Sequence, residues 1–145
     1  MAQPCVVVNN ECMEETRTIA TALIVDDDET LAKTLTDFLG MEGVQSVSTP
    51  DLDNLLTTAA AIAPDVIVID LMLAALSGVE IAAELRGGDF ADIPRIAISS
   101  SPFLLEIAEE SDLFDHVLPK PLDLEQLLVV ILESVGQDRG PGAGE

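Results

Sequence analysis

The sequence predicts an α/β protein built on a doubly wound, five-stranded parallel sheet. Its apolar runs at residues 22–25 and 66–69 are continuous rather than alternating, which is typical of strands covered on both faces. Five such strand segments alternate along the chain with five segments of helical periodicity. The 145 residues show no internal repeat and leave too little chain for a second domain.

The first strand, at residues 22–25, leads directly into a helix. Apolar residues recur at helical spacing from Leu31 to Leu39, as expected for a helix with one buried side. Asp28 can cap the start of this helix, and Gly40 or Gly43 can end it.

The second and third strands are predicted at residues 44–48 and 65–70. The helix between them is expected to carry Pro50 in its first turn and to stop before Pro64. The third strand ends on a carboxylate, Asp70, at the edge where open α/β sheets bind ligands.

The second half of the chain continues the alternation of helix and strand. The elements are a helix from the capping-box residues Ser77 and Glu80 to about Arg86, a strand at 94–98, a helix opening at Pro102, a strand at 115–118, and a helix from Asp123 to about Val135. The buried side of the helix at Pro102 is expected to carry Phe103, Leu104, Ile107 and Ala108.

The charge balance narrows the choice of partners. Acidic residues outnumber basic ones 27 to 6, for a formal charge of −21. Binding phosphate groups needs clustered Lys and Arg, so we expect no direct contact with nucleic acid and no adhesion to an anionic membrane. No apolar run reaches the roughly 20 residues of a membrane span, and no signal peptide is visible. We therefore expect a soluble, cytoplasmic protein.

Three segments are expected along the chain. Residues 1–18 should form a flexible extension that could add an edge strand, residues 19–136 the domain, and residues 137–145 a flexible tail rich in Gly and charge. The only cysteines, Cys5 and Cys12, lie in the extension without further metal-binding neighbours, and we interpret them as reduced thiols.

Reactive side chains stand at the ends of four of the five strands. They are Asp26 and Asp27, Asp70, Ser99, and Lys120. The carboxyl ends of parallel strands meet at one crevice, where three carboxylates repel one another unless a cation lies between them. Oxygen ligands of this kind suit Mg²⁺. A carboxylate nucleophile, a metal, an ammonium group and a hydroxyl are together the parts needed to form an aspartyl phosphate.

Five features together resemble a response-regulator receiver domain of the CheY-like type, over about residues 20–136. They are the strings ALIVDDDE, DVIVID, IPRIAISS and LPKP, and Gly78 eight residues beyond Asp70. The resemblance implies the flavodoxin-like receiver fold. It also implies a phosphoacceptor switch that is not an enzyme on other substrates, and that takes its phosphoryl group from a histidine kinase or phosphotransfer protein.

The resemblance also implies a role for each residue of the crevice. Asp70 would accept the phosphoryl group, Ser99 would bind a phosphoryl oxygen, and Lys120 would pair with the phosphate, with a cis peptide bond before Pro121. Mg²⁺ would be held by Asp26, Asp27, Asp70 and the backbone carbonyl of Met72.

Two positions depart from the usual receiver pattern. Ala74 replaces a proline, and Val117 replaces the switch aromatic in a chain without Tyr or Trp. Phe103 and Phe114 lie near that position, but we interpret both as core or helix-face residues. His116, the only histidine, is interpreted as a packing residue of an edge strand rather than a phosphate relay.

Two alternatives to a phosphorylated switch stay open. Asp26 and Asp28 after an apolar strand also fit the first motif of haloacid-dehalogenase-type phosphatases, as nucleophile and acid. A receiver-fold adaptor that signals without phosphate is the second alternative.

No effector domain is visible in the sequence, so we expect a stand-alone, single-domain regulator that signals to a downstream protein. Residues 127–132 are six consecutive apolar residues and cannot all face the sheet. Leu124, Leu127, Leu128 and Ile131 can face the core, which leaves Val129, Val130 or Leu132 outward. A homodimer would use apolar contacts at Val129 and Leu132.

Overall fold

The computed structural model describes residues 7–8, 11–12, 19–73 and 77–139. Two short strands, Val7–Val8 and Glu11–Cys12, pair antiparallel with each other and form a separate sheet. They do not join the main sheet, so the expected edge strand is not found among the described residues. Cys5 and Ala74 lie outside the described residues.

The main sheet has five strands, all parallel, in the order β2-β1-β3-β4-β5. The strands are β1 (Ala20–Val25), β2 (Val44–Thr49), β3 (Val66–Asp70), β4 (Arg95–Ser99) and β5 (His116–Pro119). This order confirms the predicted doubly wound, flavodoxin-like sheet. The predicted strands differ from the observed ones by one or two residues at their ends.

Five helices connect and cover the strands. They are α1 (Glu29–Met41), α2 (Leu52–Ile62), α3 (Gly78–Arg86), α4 (Pro102–Ser111) and α5 (Leu124–Arg139). In this described part of the chain, no helix is long and apolar enough to cross a membrane.

Both faces of the sheet are buried, which explains the continuous apolar runs. Val66 and Val68 of β3 pack on the side of α1 and α5. Ile67 and Ile69 of the same strand pack on the side of α2 and α3. Successive residues of β3 therefore enter one core and then the other, and no polar residue appears in this strand before Asp70.

Local capping signals in the sequence are confirmed. Asp28 accepts hydrogen bonds from the first turn of α1, and Ser77 and Glu80 form a reciprocal capping box at α3. Pro102 stands in the first turn of α4 behind the cap Ser101. Asp123 accepts from two backbone N–H groups at the start of α5.

Two helix boundaries differ from the prediction. Asp51 caps α2 by accepting from the N–H of Asn54, so Pro50 precedes the cap instead of lying in the first turn. The last helix continues to Arg139, four residues beyond Val135 and into the segment predicted as a tail, because no Gly-Pro pair interrupts it before that point.

Phe103 was predicted on the buried side of its helix and is instead 69% exposed. Ala108 is the buried residue of α4. Phe103 lies five residues earlier, which places it about 140° around the helix from Ala108. Phe114 is partly buried against the core, as predicted.

The outward face of α5 is partly as predicted. Val129 and Leu132 are 52% and 38% exposed, whereas Val130 is buried. Leu127 and Ile131 are fully buried against the sheet, and Leu124 and Leu128 are partly buried there.

Candidate functional site

The carboxyl ends of the strands bring the predicted polar residues together. Asp26 follows β1, Asp70 ends β3, Ser99 ends β4 and Lys120 follows β5. The chain turns to opposite sides of the sheet after β1 and β3, which makes this edge the expected binding crevice of a doubly wound sheet. Three of these residues, Asp26, Asp70 and Lys120, are in direct electrostatic contact.

Lys120 is the cation of the site. Its Nζ lies 2.9 Å from Asp70 Oδ2 and 3.8 Å from Asp26 Oδ2. Burial alone would lower the pKa of Lys120, but the hydrogen bond to Asp70 and the nearby carboxylate charges outweigh it and raise the pKa. Lys120 therefore stays protonated and balances two acids at once.

Asp26 is a buried carboxylate of the site whose pKa is raised. Its side chain is buried, with Oδ1 accepting from the N–H of Asp28 at 2.8 Å. Oδ2 has no hydrogen-bond donor within range among the described residues. Burial raises the pKa of Asp26 to about 6, the hydrogen bond from Asp28 and the charge of Lys120 oppose the rise, and the charge of Asp70 adds to it.

Asp70 is held by one donor on each carboxylate oxygen. Oδ1 accepts from the backbone N–H of Met72 at 2.9 Å, and Oδ2 accepts from Lys120 Nζ. Gly78 lets α3 begin directly behind this residue, because a Cβ there would lie 2.5 Å from the carbonyl oxygen of Asp70 and 2.8 Å from Leu71 Cα. The glycine eight residues beyond Asp70 is therefore required by close packing.

Ser99 lies at the same edge and is fully buried. Its Oγ accepts from the N–H of Ser101 at 3.0 Å, which leaves the hydroxyl proton available to another acceptor. The carbonyl oxygen of Ser99 accepts from the backbone N–H of Lys120 at 2.8 Å, tying the ends of β4 and β5 together. The Lys120–Pro121 peptide bond is cis, as the resemblance implied.

The two aspartates after Asp26 differ in their surroundings. Asp27 is exposed and lines, with Asp26, a cavity of about 430 Å³ between α1 and the end of β2. Asp28 Oδ1 accepts from the N–H groups of Thr30 and Leu31, so its carboxylate is used as a helix cap.

The donor set fits Mg²⁺ in its chemistry. Asp26 supplies a buried carboxylate oxygen without a hydrogen-bond donor, and Asp27 supplies an exposed carboxylate beside it. Hard oxygen ligands and access to water are what Mg²⁺ requires. Within the described ranges, no three His, Cys, Asp or Glu side chains are already grouped closely enough to hold a metal ion.

Two contacts of this site were not predicted. The Met72 N–H bond to Asp70 is a backbone contact that no residue type announces. The Ser100 hydroxyl also donates to Met72 Sδ at 3.7 Å, which links the loops after β3 and β4. Val117, at the position of the missing aromatic, packs with Leu71 and Ala97 below α4.

Comparison with known proteins assigns this arrangement to a class. The family model for the response regulator receiver domain matches residues 22–132. The chain belongs to the response-regulator receiver family. Members of this family are phosphoacceptor switches of two-component signalling, work with histidine kinases or phosphotransfer proteins, and typically use Mg²⁺.

Among curated relatives, the chain is similar to the response regulator MprA of Mycobacterium sp. (strain KMS). The two are 32% identical over 124 residues, which cover 82% of this chain and 53% of the relative. The DNA-binding response regulator MtrA of Mycolicibacterium smegmatis is 30% identical over 106 residues, covering 73% of this chain and 46% of the relative. The chain spans about half the length of the curated relatives it matches.

Solved receiver structures have the same fold. A CheY-like receiver domain from Methylobacillus flagellatus superposes with a TM-score of 0.71 at 30% identity, covering 81% of this chain and 99% of that one. The receiver domain of the Francisella response regulator 1452 gives a TM-score of 0.73 at 24% identity, covering 81% and 98%.

Proposed function

We propose that this response regulator accepts a phosphoryl group on Asp70 from a histidine kinase or phosphotransfer protein, in a reaction that depends on Mg²⁺. The observation that supports the proposal most directly is the placement of Asp70. Its carboxylate ends a central strand and contacts Lys120 at 2.9 Å, and a second buried carboxylate, that of Asp26, lies 3.8 Å from the same ammonium group.

In the transfer, an oxygen of the Asp70 carboxylate attacks phosphorus while the bond from phosphorus to the donor's imidazole nitrogen breaks. The electron pair of that bond leaves with the imidazole. The N–H of Met72 and the ammonium of Lys120 hold the carboxylate in place for the attack. Both groups already donate hydrogen bonds to the Asp70 carboxylate, so they orient it before the donor binds.

Two side chains would receive the charge that the phosphoryl group brings. Lys120 remains protonated and pairs with a phosphoryl oxygen once Asp70 is phosphorylated. Ser99 can donate its hydroxyl proton to another phosphoryl oxygen, since its Oγ is already positioned by the N–H of Ser101. Contact with Ser99 would carry the change to β4 and, through its carbonyl, to Lys120 and β5.

Asp26, Asp27, Asp70 and the backbone carbonyl of Met72 would hold the Mg²⁺. When bound, the ion supplies positive charge that offsets repulsion between the carboxylates and the incoming phosphoryl group. Asp26 meets this need with an oxygen that has no hydrogen-bond donor among the described residues.

The phosphatase alternative has no support in the structure or in the family match. Asp28, which would have to serve as its acid, caps α1. Output by protein–protein contact is part of the proposal, since the charge of −21 disfavours contact of this domain with DNA. The stand-alone type, the cytoplasmic location and the domain bounds at 19–136 stay predictions, and the match covers only about half the length of the curated relatives.

The test is treatment with acetyl phosphate in Mg²⁺, followed by intact mass measurement. We expect the mass of one phosphoryl group to be added to the wild type and to Asp28→Asn, because Asn is also a good helix cap. Asp70→Asn should add none, and a chelator should prevent the reaction in the wild type.

Other outcomes would overturn the proposal in different ways. Labelling that survives Asp70→Asn but is lost in Asp26→Asn would move the acceptor to Asp26. A wild type that adds no phosphoryl group, although it binds a partner, would support the adaptor alternative.

We also propose that any homodimer uses the exposed apolar residues of α5. Val129 and Leu132 lie outward on this helix. Residues 101–135 contain eight acidic residues and one basic residue, Lys120, so this stretch offers no cationic half for a charge-paired interface. Substituting both with Glu should leave only monomer in solution sizing after beryllofluoride treatment, and a dimer that persists would contradict this surface.

A further inference from the structure

A pocket of about 340 Å³ opens at the edge of the sheet opposite to Asp70. Arg95, which begins β4, lines it together with Asp92, Asp115 and Ser134. Ser99 ends the same strand four residues later, so this pocket lies about 13 Å from the phosphoacceptor edge. Its volume is at the lower end of the range for small-molecule sites.

Arg95 is a buried cation whose charge is not matched by a bonded carboxylate. It is 7% exposed, at the start of a strand that is otherwise apolar up to its last residue. Within the described part of the chain, its guanidinium donates only to backbone carbonyls: Nε to Leu113 at 2.8 Å, and Nη1 to Ala91 at 3.2 Å and Ile93 at 3.4 Å. Burial lowers the pKa of Arg95, the charge of Asp115 opposes this shift, and the charge of Arg86 adds to it.

These bonds use three of the five N–H donors of the guanidinium. The two N–H groups of Nη2 have no acceptor among the described residues. Each N–H group of Nη2 can form one charge-assisted hydrogen bond to a carboxylate oxygen.

Ser134 on α5 provides a second, independent unmet group. It is 3% exposed, and its Oγ has no hydrogen-bond partner in the described ranges. A serine inside a helix usually donates to the carbonyl four residues earlier, and this one does not. Ser134 lines the same pocket as Arg95.

The rim of the pocket carries the opposite charge. Asp92 and Asp115 are exposed there. One oxygen of Asp115 accepts a hydrogen bond from the backbone N–H of Arg95 at 2.9 Å, which holds this carboxylate beside the pocket. Two negative charges at the rim repel a dianion such as phosphate but attract an ammonium group.

We propose that this pocket binds a small zwitterion, an α-amino acid, with its carboxylate on Arg95 Nη2 and Ser134 Oγ and its ammonium group at Asp92 and Asp115. The carboxylate of the ligand would accept hydrogen bonds from Arg95 and Ser134, and its ammonium group would pair with the carboxylates at the rim. A volume of about 340 Å³ has room for the charged backbone of an α-amino acid and for a side chain. The ligand would connect the amino ends of β4 and β5 to α5.

The test is NMR titration of the ¹⁵N-labelled full chain with glycine, acetate and ethylammonium in turn. Glycine should shift the amide signals of Arg95, Asp115 and Ser134 saturably, acetate should bind more weakly, and ethylammonium should not shift them. Longer L-amino acids would then show which side chain the pocket accepts.

Matched variants separate the two halves of the site. Ser134→Ala should weaken glycine binding about tenfold, since it removes one hydrogen bond to a charged group. Ser46→Ala is the control, because Ser46 Oγ is also buried without a described partner but does not line this pocket. Asp92→Asn should weaken glycine binding and strengthen acetate binding.

The decisive result is that Asp92→Asn weakens the binding of glycine and strengthens the binding of acetate. An equal gain for glycine and acetate would show a plain carboxylate site and overturn the zwitterion. Absence of any saturable shift, an unchanged glycine affinity in Ser134→Ala, or crystals soaked in glycine that show only water at Ser134 would each overturn the site altogether.

Discussion

Lys120 is partly buried at one edge of the sheet and Arg95 is buried at the other, and the two charges have different surroundings. At the carboxyl edge, Lys120 contacts the carboxylates of Asp70 and Asp26, and its pKa is raised. At the amino edge, the guanidinium of Arg95 donates only to backbone carbonyls among the described residues, and burial lowers its pKa.

The difference shows that negative charge is in excess at the carboxyl edge, whereas the guanidinium at the amino edge has no bonded carboxylate among the described residues. Lys120 has more negative charge around it than it can neutralise, so the carboxyl edge is suited to a further cation. Arg95 has too little negative charge bonded to it, so the amino edge is suited to a carboxylate. Substitutions at the two edges should therefore have opposite or unequal effects on stability.

The largest effect is expected for Lys120→Met. Removing the cation leaves two buried carboxylates facing each other, which should lower the free energy of unfolding by about 3 kcal/mol at pH 8. Urea denaturation measures the loss, and Mg²⁺ should restore part of it. The control is Lys33→Met, which breaks an exposed pair with Asp37 and should cost less than about 0.5 kcal/mol. Equal losses in both variants would contradict the contrast between the edges.

The next effect has the opposite sign. Because folding raises the pKa of Asp26 from 3.8 to about 6, the folded state binds more protons than the unfolded state between these pH values. The free energy of unfolding therefore falls as pH rises through this window, and the ionised carboxylate destabilises the protein above it by at most about 3 kcal/mol.

Asp26→Asn should remove that penalty and stabilise the protein by about 2 kcal/mol at pH 8, somewhat less than the limit because the attraction to Lys120 is also lost. The difference from wild type should vanish below about pH 4. Thermal denaturation across pH, with Mg²⁺ absent, measures it. A variant that is less stable than wild type at pH 8 would show that the ionised carboxylate of Asp26 does not destabilise the folded protein.

A smaller effect is expected for Arg95→Lys. Lysine keeps the charge but cannot donate to Leu113, Ala91 and Ile93 at once, so about 1 kcal/mol should be lost. Urea denaturation in parallel with Lys120→Arg, which also keeps its charge, gives the comparison between the edges. No loss in Arg95→Lys would show that the carbonyl contacts are replaceable by water.

The smallest effect is expected for Ser134→Ala without ligand. The hydroxyl is buried without a described partner, and Ala favours a helix, so stability should stay the same or rise by about 0.5 kcal/mol. A loss above about 1 kcal/mol in thermal denaturation would show that the hydroxyl has a structural partner.

Much of the carboxyl edge could be predicted because its signals are local. A strand that is apolar on both faces has to end before a charge appears, so Asp70 and Ser99 mark strand ends in the sequence itself. The capping residues Asp28 and Ser77 are equally local, since each contacts the first turn of the helix it precedes.

Other features could not be predicted because they depend on how an element is rotated or on distant neighbours. Phe103 has the helical spacing of a buried residue, yet the packing of Ala108 turns it to solvent. The burial of Arg95 could not be predicted either, because its carbonyl partners come from two separate loops.

The sequence by itself determined the parallel α/β fold and the identity of the residues that could carry phosphoryl chemistry, because strand periodicity and strand ends are properties of short segments. Only the tertiary structure decided how those residues share their charges. Asp70 and Lys120 are fifty residues apart, and the 2.9 Å contact between them exists because β3, β4 and β5 lie side by side. The same holds at the other edge, where α5 brings Ser134 to the pocket that Arg95, the first residue of β4, also lines.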